Sequence, residues 1–296
     1  MSVDENNPEP LNPLGIAGIE FIEYATSQPQ ALGHVLQKMG FMAVARHRSR
    51  EVMLYRQGSL NIIVNAHPEP LPGMSAPAEV PVLKAIALRV RDAGAAWTRA
   101  LALGAWEMPM RAQAMELNIP AIRGPGETLL CFVEALPGLT LYDVDFTLLP
   151  NATRDVPPLN DLHWFGIVQT VAADHSAAWI EFYQHLFAFT VVPGGQYFGV
   201  LPKGTLLESP CHSFYLQLIE PPPGADDVDW DEGFHRVGLG TRDVPAMTAE
   251  LRQRGVTFID RGSVQLSAKG ALSQVYLGGV TFEIVHSHLQ DPLGEL

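Results

Sequence analysis

Cysteine is nearly absent: the chain has two, Cys131 and Cys211, far apart and among strand-like residues. That excludes a disulfide-built scaffold and reads as two buried thiols in a reducing compartment. No run of about eighteen apolar residues occurs, so no membrane span is expected. Residues 1–13 are acidic and rich in Pro and Asn, without a basic segment leading into an apolar core. A secretory leader is therefore not expected, and the expected location is cytoplasmic. Basic residues are also scarce. With 19 Lys and Arg against 32 Asp and Glu, the formal charge is −13. A nucleic-acid partner is excluded, because no basic face is there to displace counterions.

What is present is a globular composition, with 47% hydrophobic and 17% charged residues over 296 positions, enough for two domains with sizeable cores. Hydrophobic periodicity divides the chain into four similar units. The first has a strand over 16–25, a helix over 30–40 with Leu32, Val35, Leu36 and Met39 on one face, and strands over 41–46, 52–56 and 61–65. The second follows a proline-rich connection over 68–81. It has a strand over 85–90, a helix capped by Asp92 and stopped at Gly104, and strands over 119–123 and 128–134. A further strand over 141–148 is expected to close this half, and 150–159 has the composition of a linker. The third unit starts at Leu162, with a helix over 177–187 and strands over 190–192, 197–201 and 213–219. The fourth runs from Phe234 through a helix over 244–254 to a last strand over 280–285.

Units two and four match directly. Leu88-Arg-Val-Arg-Asp92 lies over Leu239-Gly-Thr-Arg-Asp243, and Gly104 lies over Gly255 at the same offset. A repeat in register over a strand and a helix is a structural signal. The expected fold class is α+β: four βαβββ units paired into two curved half-barrel sheets. The expected domains are 12–150, structural, and 160–290, holding the active site.

The stretch from Gly233 to Asp243 carries most of the functional argument. In strict alternation Val237 and Leu239 share one face, and Arg236, Gly238 and Gly240 the other. Arg236 then points into whatever the sheet encloses. His235 can join it only through a one-residue bulge. Arg236 has two readings: an ion pair with Glu283 across the cavity, or a planar fork that grips a substrate carboxylate. Glu134 could be a repeat counterpart of Glu283. His286 and His288 read as a solvated end close to Glu283, or as substitute ligands.

Asn12–Gly15, Phe21–Tyr24, His47–Ser49, Leu54–Gly58, Met115–Ile122 and Tyr142–Phe146 carry a resemblance to the 4-hydroxyphenylpyruvate dioxygenase family of the vicinal-oxygen-chelate superfamily. It covers nearly all of 12–148. The resemblance implies a non-catalytic first half. It also implies a second half with Fe(II), or another divalent metal, held by two histidines and a glutamate from three strands. Such a set leaves positions open for a 2-oxo acid and O₂. His163 matches the first ligand and Glu283 the third. Ungapped matching puts Arg236 at the second, with His235 at the place of a substrate-binding glutamine. Ile219 and Gly204 also depart from polar positions of the family.

Two functions follow. In the first, His163, His235 and Glu283 hold the metal, Arg236 orients the carboxylate, and a small aromatic or 2-oxo acid reacts with O₂. In the second, a metal-free paralogue binds a small carboxylate through Arg236. Exposed strand edges allow a homo-oligomer in either case.

Overall fold

The computed structural model describes residues 11–66, 80–108, 116–136, 138–193, 199, 204–221, 231–260 and 266–288. The first unit comprises β1 (Gly18–Ala25), α1 (Pro29–Lys38), β2 (Met42–His47), β3 (Val52–Gln57) and β4 (Leu60–Asn65). The second comprises β5 (Val82–Val90), α2 (Ala93–Ala102), β6 (Glu107–Met108), β7 (Ala121–Arg123) and β8 (Leu129–Glu134). α3 (Leu141–Asp145) and β9 (Phe146–Leu148) follow. The third unit is β10 (His163–Thr170), α4 (Ser176–Phe187), β11 (Thr190–Val191), β12 (Thr205–Glu208) and β13 (Tyr215–Ile219). The fourth is β14 (Gly233–Thr241), α5 (Val244–Gln253), β15 (Gly270–Leu272) and β16 (Phe282–His286), with a Phe258–Ser273 bridge in place of its first short strand.

Local chemistry sets these boundaries. Asp92 accepts from the Ala95 amide at 2.8 Å, and Asp243 accepts from the Ala246 amide at 2.9 Å, so α2 and α5 start at the same place in the repeat. Two expected elements differ. The strand expected over 141–148 is a short helix running into a three-residue strand, because Thr140 and Asp143 close a reciprocal capping box. The strand expected over 197–201 lies outside the described residues apart from Gly199, and β12 stands just beyond it. Of the two cysteines expected to be buried, Cys131 is, and Cys211 is only half-buried.

Within each unit the first strand pairs parallel with the last: β1 with β4, β5 with β8, β10 with β13, β14 with β16. Units then join antiparallel, β1 to β5 and β10 to β14. The two halves meet at β14 and β5 through Phe234 and Leu83. The ordered path runs from β11 to β9 without closing. One large apolar cluster lies against the helices and runs through both halves, while two smaller ones line the opposite faces. No helix among the described residues is long and apolar enough to cross a membrane.

Each antiparallel junction is bent by two register shifts at matching places. They fall between Ile19 and Phe21 and between Glu23 and Tyr24 in the first half. In the second they fall between Trp164 and Gly166 and between Val168 and Gln169. A bulge lets two consecutive residues face one side. Phe234 and Val237, three apart, therefore both join the helix-side cluster.

Candidate functional site

On β14 the extra residue of the second bulge is His235, since Val168 pairs with Arg236 and Gln169 with Phe234. The bulge that His235 needs is thus present. With Phe234 and Val237 turned to the helices, His235 and Arg236 are both left to the concave side. Their environments differ. His235 is exposed, though desolvation by the surrounding protein and the neighbouring Arg236 guanidinium, in that order, lower its pKa.

Arg236 is buried. Its Nε lies 3.0 Å from Glu283 Oε2, with side-chain accessibilities of 8% and 6%. The contact is one of charge rather than a directed hydrogen bond, and Arg236 Nε and Nη2 have no hydrogen-bond partner among the described residues. Gly199, at φ +75°, packs against the same carboxylate, where a Cβ would overlap Glu283 Oε1.

His163 is 9% exposed and sits over Gly240, its partner across the ladder, where a Cβ would overlap Nε2. Its Nδ1 lies 2.8 Å from the Asp161 carbonyl oxygen and its Nε2 3.0 Å from Ser287 Oγ. A carbonyl can only accept, so Nδ1 carries the proton and the Nε2 lone pair accepts from the serine hydroxyl. Ser287, two residues past the end of the expected last strand, is a partner that sequence matching missed. The same-face spacing from Glu283 through Val285 to Ser287 was the available signal.

Asp161 is tied down as well. Its carboxylate accepts from Thr241 Oγ1 at 2.6 Å and from the Arg242 amide at 2.9 Å. Burial pushes its pKa up, but these hydrogen bonds outweigh burial and hold it below the ordinary value of 3.8. A carboxylate with a depressed folded-state pKa stabilises above its unfolded pKa, and that stabilisation is lost as the pH falls through the folded one. Asp161→Asn should therefore lose less stability than the parent chain as the pH falls through and below the ordinary carboxylate value of 3.8, by urea denaturation at each pH. Parallel acid limbs would refute the linkage.

The expected ligand set of His163, His235 and Glu283 is not brought together. Arg236 takes the Glu283 carboxylate, both His163 nitrogens are engaged, and His235 stays exposed. No group of three or more His, Cys, Asp or Glu side chains among the described residues could hold a metal ion. A guanidinium cannot ligate a cation and adds positive charge beside the carboxylate that would. As placed, these residues do not fit a mononuclear iron.

The first half carries the same frame with other side chains. Ala87 pairs with Cys131 as Gly238 pairs with Glu283, so Cys131 is the counterpart of Glu283. Burial, with Glu23 adding to it, pushes the Cys131 thiol up and keeps it protonated. Glu134 is not that counterpart. Its carboxylate accepts from the Ala93 amide at 2.9 Å, at the start of α2.

The comparisons with known proteins agree with this frame. A family model described as hydroxyphenylpyruvate dioxygenase, N-terminal, matches residues 11–147. The chain is 36% identical over 260 residues to a 4-hydroxyphenylpyruvate dioxygenase from a Pseudomonas species, covering 84% of this chain and 72% of that one. It is also 36% identical over 209 residues to a 3-dehydroshikimate dehydratase of Pseudomonas putida, covering 68% of this chain but only 32% of the dehydratase. Among solved structures, a fusion of a xylose isomerase-like TIM barrel with a 4-hydroxyphenylpyruvate dioxygenase superposes with a TM-score of 0.73 at 26% identity. It covers 96% of this chain and 51% of the fusion. With its βαβββ units and its open curved sheet, the chain belongs to the 4-hydroxyphenylpyruvate dioxygenase family of vicinal-oxygen-chelate enzymes.

Proposed function

We propose that this family member binds a small aromatic or 2-oxo acid on the concave face of its second half, with Arg236 taking the carboxylate and no Fe(II) taking part. One observation carries the reading. Arg236 is buried, yet Nη2 has no hydrogen-bond partner among the described residues. A buried donor left unpaired costs about 1–3 kcal/mol, and a carboxylate oxygen relieves that cost with a charge-assisted bond. Glu283 Oε2 stands against Nε, and Nη2 is the donor that a ligand carboxylate would take in this reading.

Calorimetric titration with 4-hydroxyphenylpyruvate tests this. A hydrogen bond to a charged group contributes about 1.5–3 kcal/mol, so Arg236→Gln should weaken binding by about tenfold to 150-fold. Equal affinity in the two proteins would sink the proposal.

A second reading, an Fe(II) oxygenase using O₂, is favoured by the bulge that turns His235 to the concave side. It requires about one iron per chain in the purified protein, oxygen uptake with the same acid, and loss of both in His163→Ala. The outer strands β9 and β11 leave sheet edges that suit pairing between copies of the chain.

A further inference from the structure

We propose that Lys84, on the concave side of the first half, is a nucleophilic amine that forms an imine with a small apolar aldehyde. No residue of the second half takes part, so the outcome is independent of acid binding at Arg236.

Strand register places the amine. Glu23 pairs with Ala85 and Tyr24 with Leu83, so Lys84 is the extra residue of the second bulge, as His235 is in the other half. Leu83 and Ile86 turn to the helices, and Ala85 belongs to the cluster on the opposite face. Lys84 and Ala85 are thereby left together to the concave side. On β1, Ile22 and Tyr24 face the helices, while Glu23 shares the face of Phe21. The amine and a carboxyl thus stand across the ladder from each other, beside an apolar wall that includes Phe21, Ala85, Ala87 and Leu129.

The surroundings favour a free amine. The Lys84 side chain is 18% exposed, and its Nζ lies 3.7 Å from Glu127 Oε2, a loose contact with a side chain that is 41% exposed. Burial lowers the Lys84 pKa, against Glu127 and then Glu23, which hold the proton on. Desolvation among apolar groups is what makes a lysine attack carbonyl carbon. Glu23 is pushed the other way. Burial raises its pKa, opposed by the 3.0 Å hydrogen bond it accepts from Asn65 Nδ2 and by the charges of Arg50 and Lys84. The two values are drawn toward each other, which suits proton exchange between the groups. An aldehyde fits better than an oxo acid, because Glu23 and Glu127 repel a further carboxylate and the wall offers apolar contact.

The step balances without a redox partner. The Lys84 ammonium gives one proton to the Glu23 carboxylate, and the amine nitrogen bonds to the aldehyde carbon. The aldehyde oxygen takes that proton from Glu23 and becomes a hydroxyl. It then leaves as water with a second nitrogen proton relayed through the same carboxyl. C=O is exchanged for a protonated C=N, one water departs, and nothing is oxidised or reduced.

The test incubates the parent chain with benzaldehyde and sodium cyanoborohydride near neutral pH, and peptide mass spectrometry locates the benzylated lysines. The four lysines of the chain make the comparison internal, since Lys38 and Lys269 are exposed; Lys203 lies outside the described residues. Lys84 should be trapped at least about tenfold faster than Lys38 and Lys269, because a positioned proton donor alone contributes about 10²–10⁴-fold. Glu23→Gln should slow trapping at Lys84 by at least about tenfold. Losing the Glu23 charge would by itself favour the free amine and speed the reaction, so slowing is a result that a purely electrostatic neighbour would not give. Glu127→Gln should quicken trapping, because that carboxylate holds the proton on Lys84. The proposal is overturned if Lys84 is trapped no faster than Lys38 and Lys269, or if Glu23→Gln reacts as fast as the parent chain. Should Glu23→Gln lose the parent circular dichroism, the lysine ratio and Glu127→Gln decide, and a Glu127→Gln rate no faster than the parent overturns the proposal.

Discussion

Glu283→Ala should lower the stability of the chain by about 3–5 kcal/mol, because it leaves the buried Arg236 charge without its counter-ion. The two charges are not equivalent to a net gain of that size. Bringing both out of water costs several kcal/mol per ion, and much of their attraction only repays that cost. Replacing the pair together, as Arg236→Met with Glu283→Leu, should therefore be near neutral or stabilising. Urea denaturation of the two variants beside the parent chain measures both numbers. A loss below about 1 kcal/mol in Glu283→Ala would mean that Arg236 is screened by water and is not the internal cation described above.

Phe187→Ala should be as damaging, at about 3–5 kcal/mol. Phe187 is 1% exposed at the end of α4 and stacks on Phe132 of β8 at 6.1 Å between ring centroids. Phe182, Tyr183 and Phe189 surround it at 5.9, 6.0 and 6.4 Å. The residue thus joins the helix layer of the second half to the sheet of the first. Truncation leaves a cavity in the large apolar cluster that runs through both halves. Because that cluster is continuous, calorimetry should show one transition shifted downward. Two separated transitions in the parent chain would show that the seam contributes little.

The βαβββ units were legible in the sequence because helix and strand periods alternate cleanly, and because Asp92 and Asp243 cap equivalent helices. The helix over Leu141–Asp145 was missed although its Thr140 and Asp143 box is a local signal: the apolar run beside it outweighed the cap. At the site, Arg236 against Glu283 was among the alternatives read from alternation and family matching. The placement of His235 could not be read that way. A bulge breaks the period of two on which such reading rests, and nothing in Phe234-His-Arg-Val237 marks it. The hydroxyl of Ser287 on His163 and the counterpart role of Cys131 needed strand register, which long-range pairing sets and local propensity does not.

The matched pair of bends in β1 and β10 has a consequence for protein engineering. Gly18, Ala85 and Cys131 occupy in the first half the places that His163, Arg236 and Glu283 occupy in the second. The first half repeats that curvature with two positions that bring no donor, Gly18 and Ala85, and one that brings a buried thiol, Cys131. Donor side chains grafted at Ala85 and Cys131 would meet the same strand register, whereas one at Gly18, held at φ +138°, would be strained.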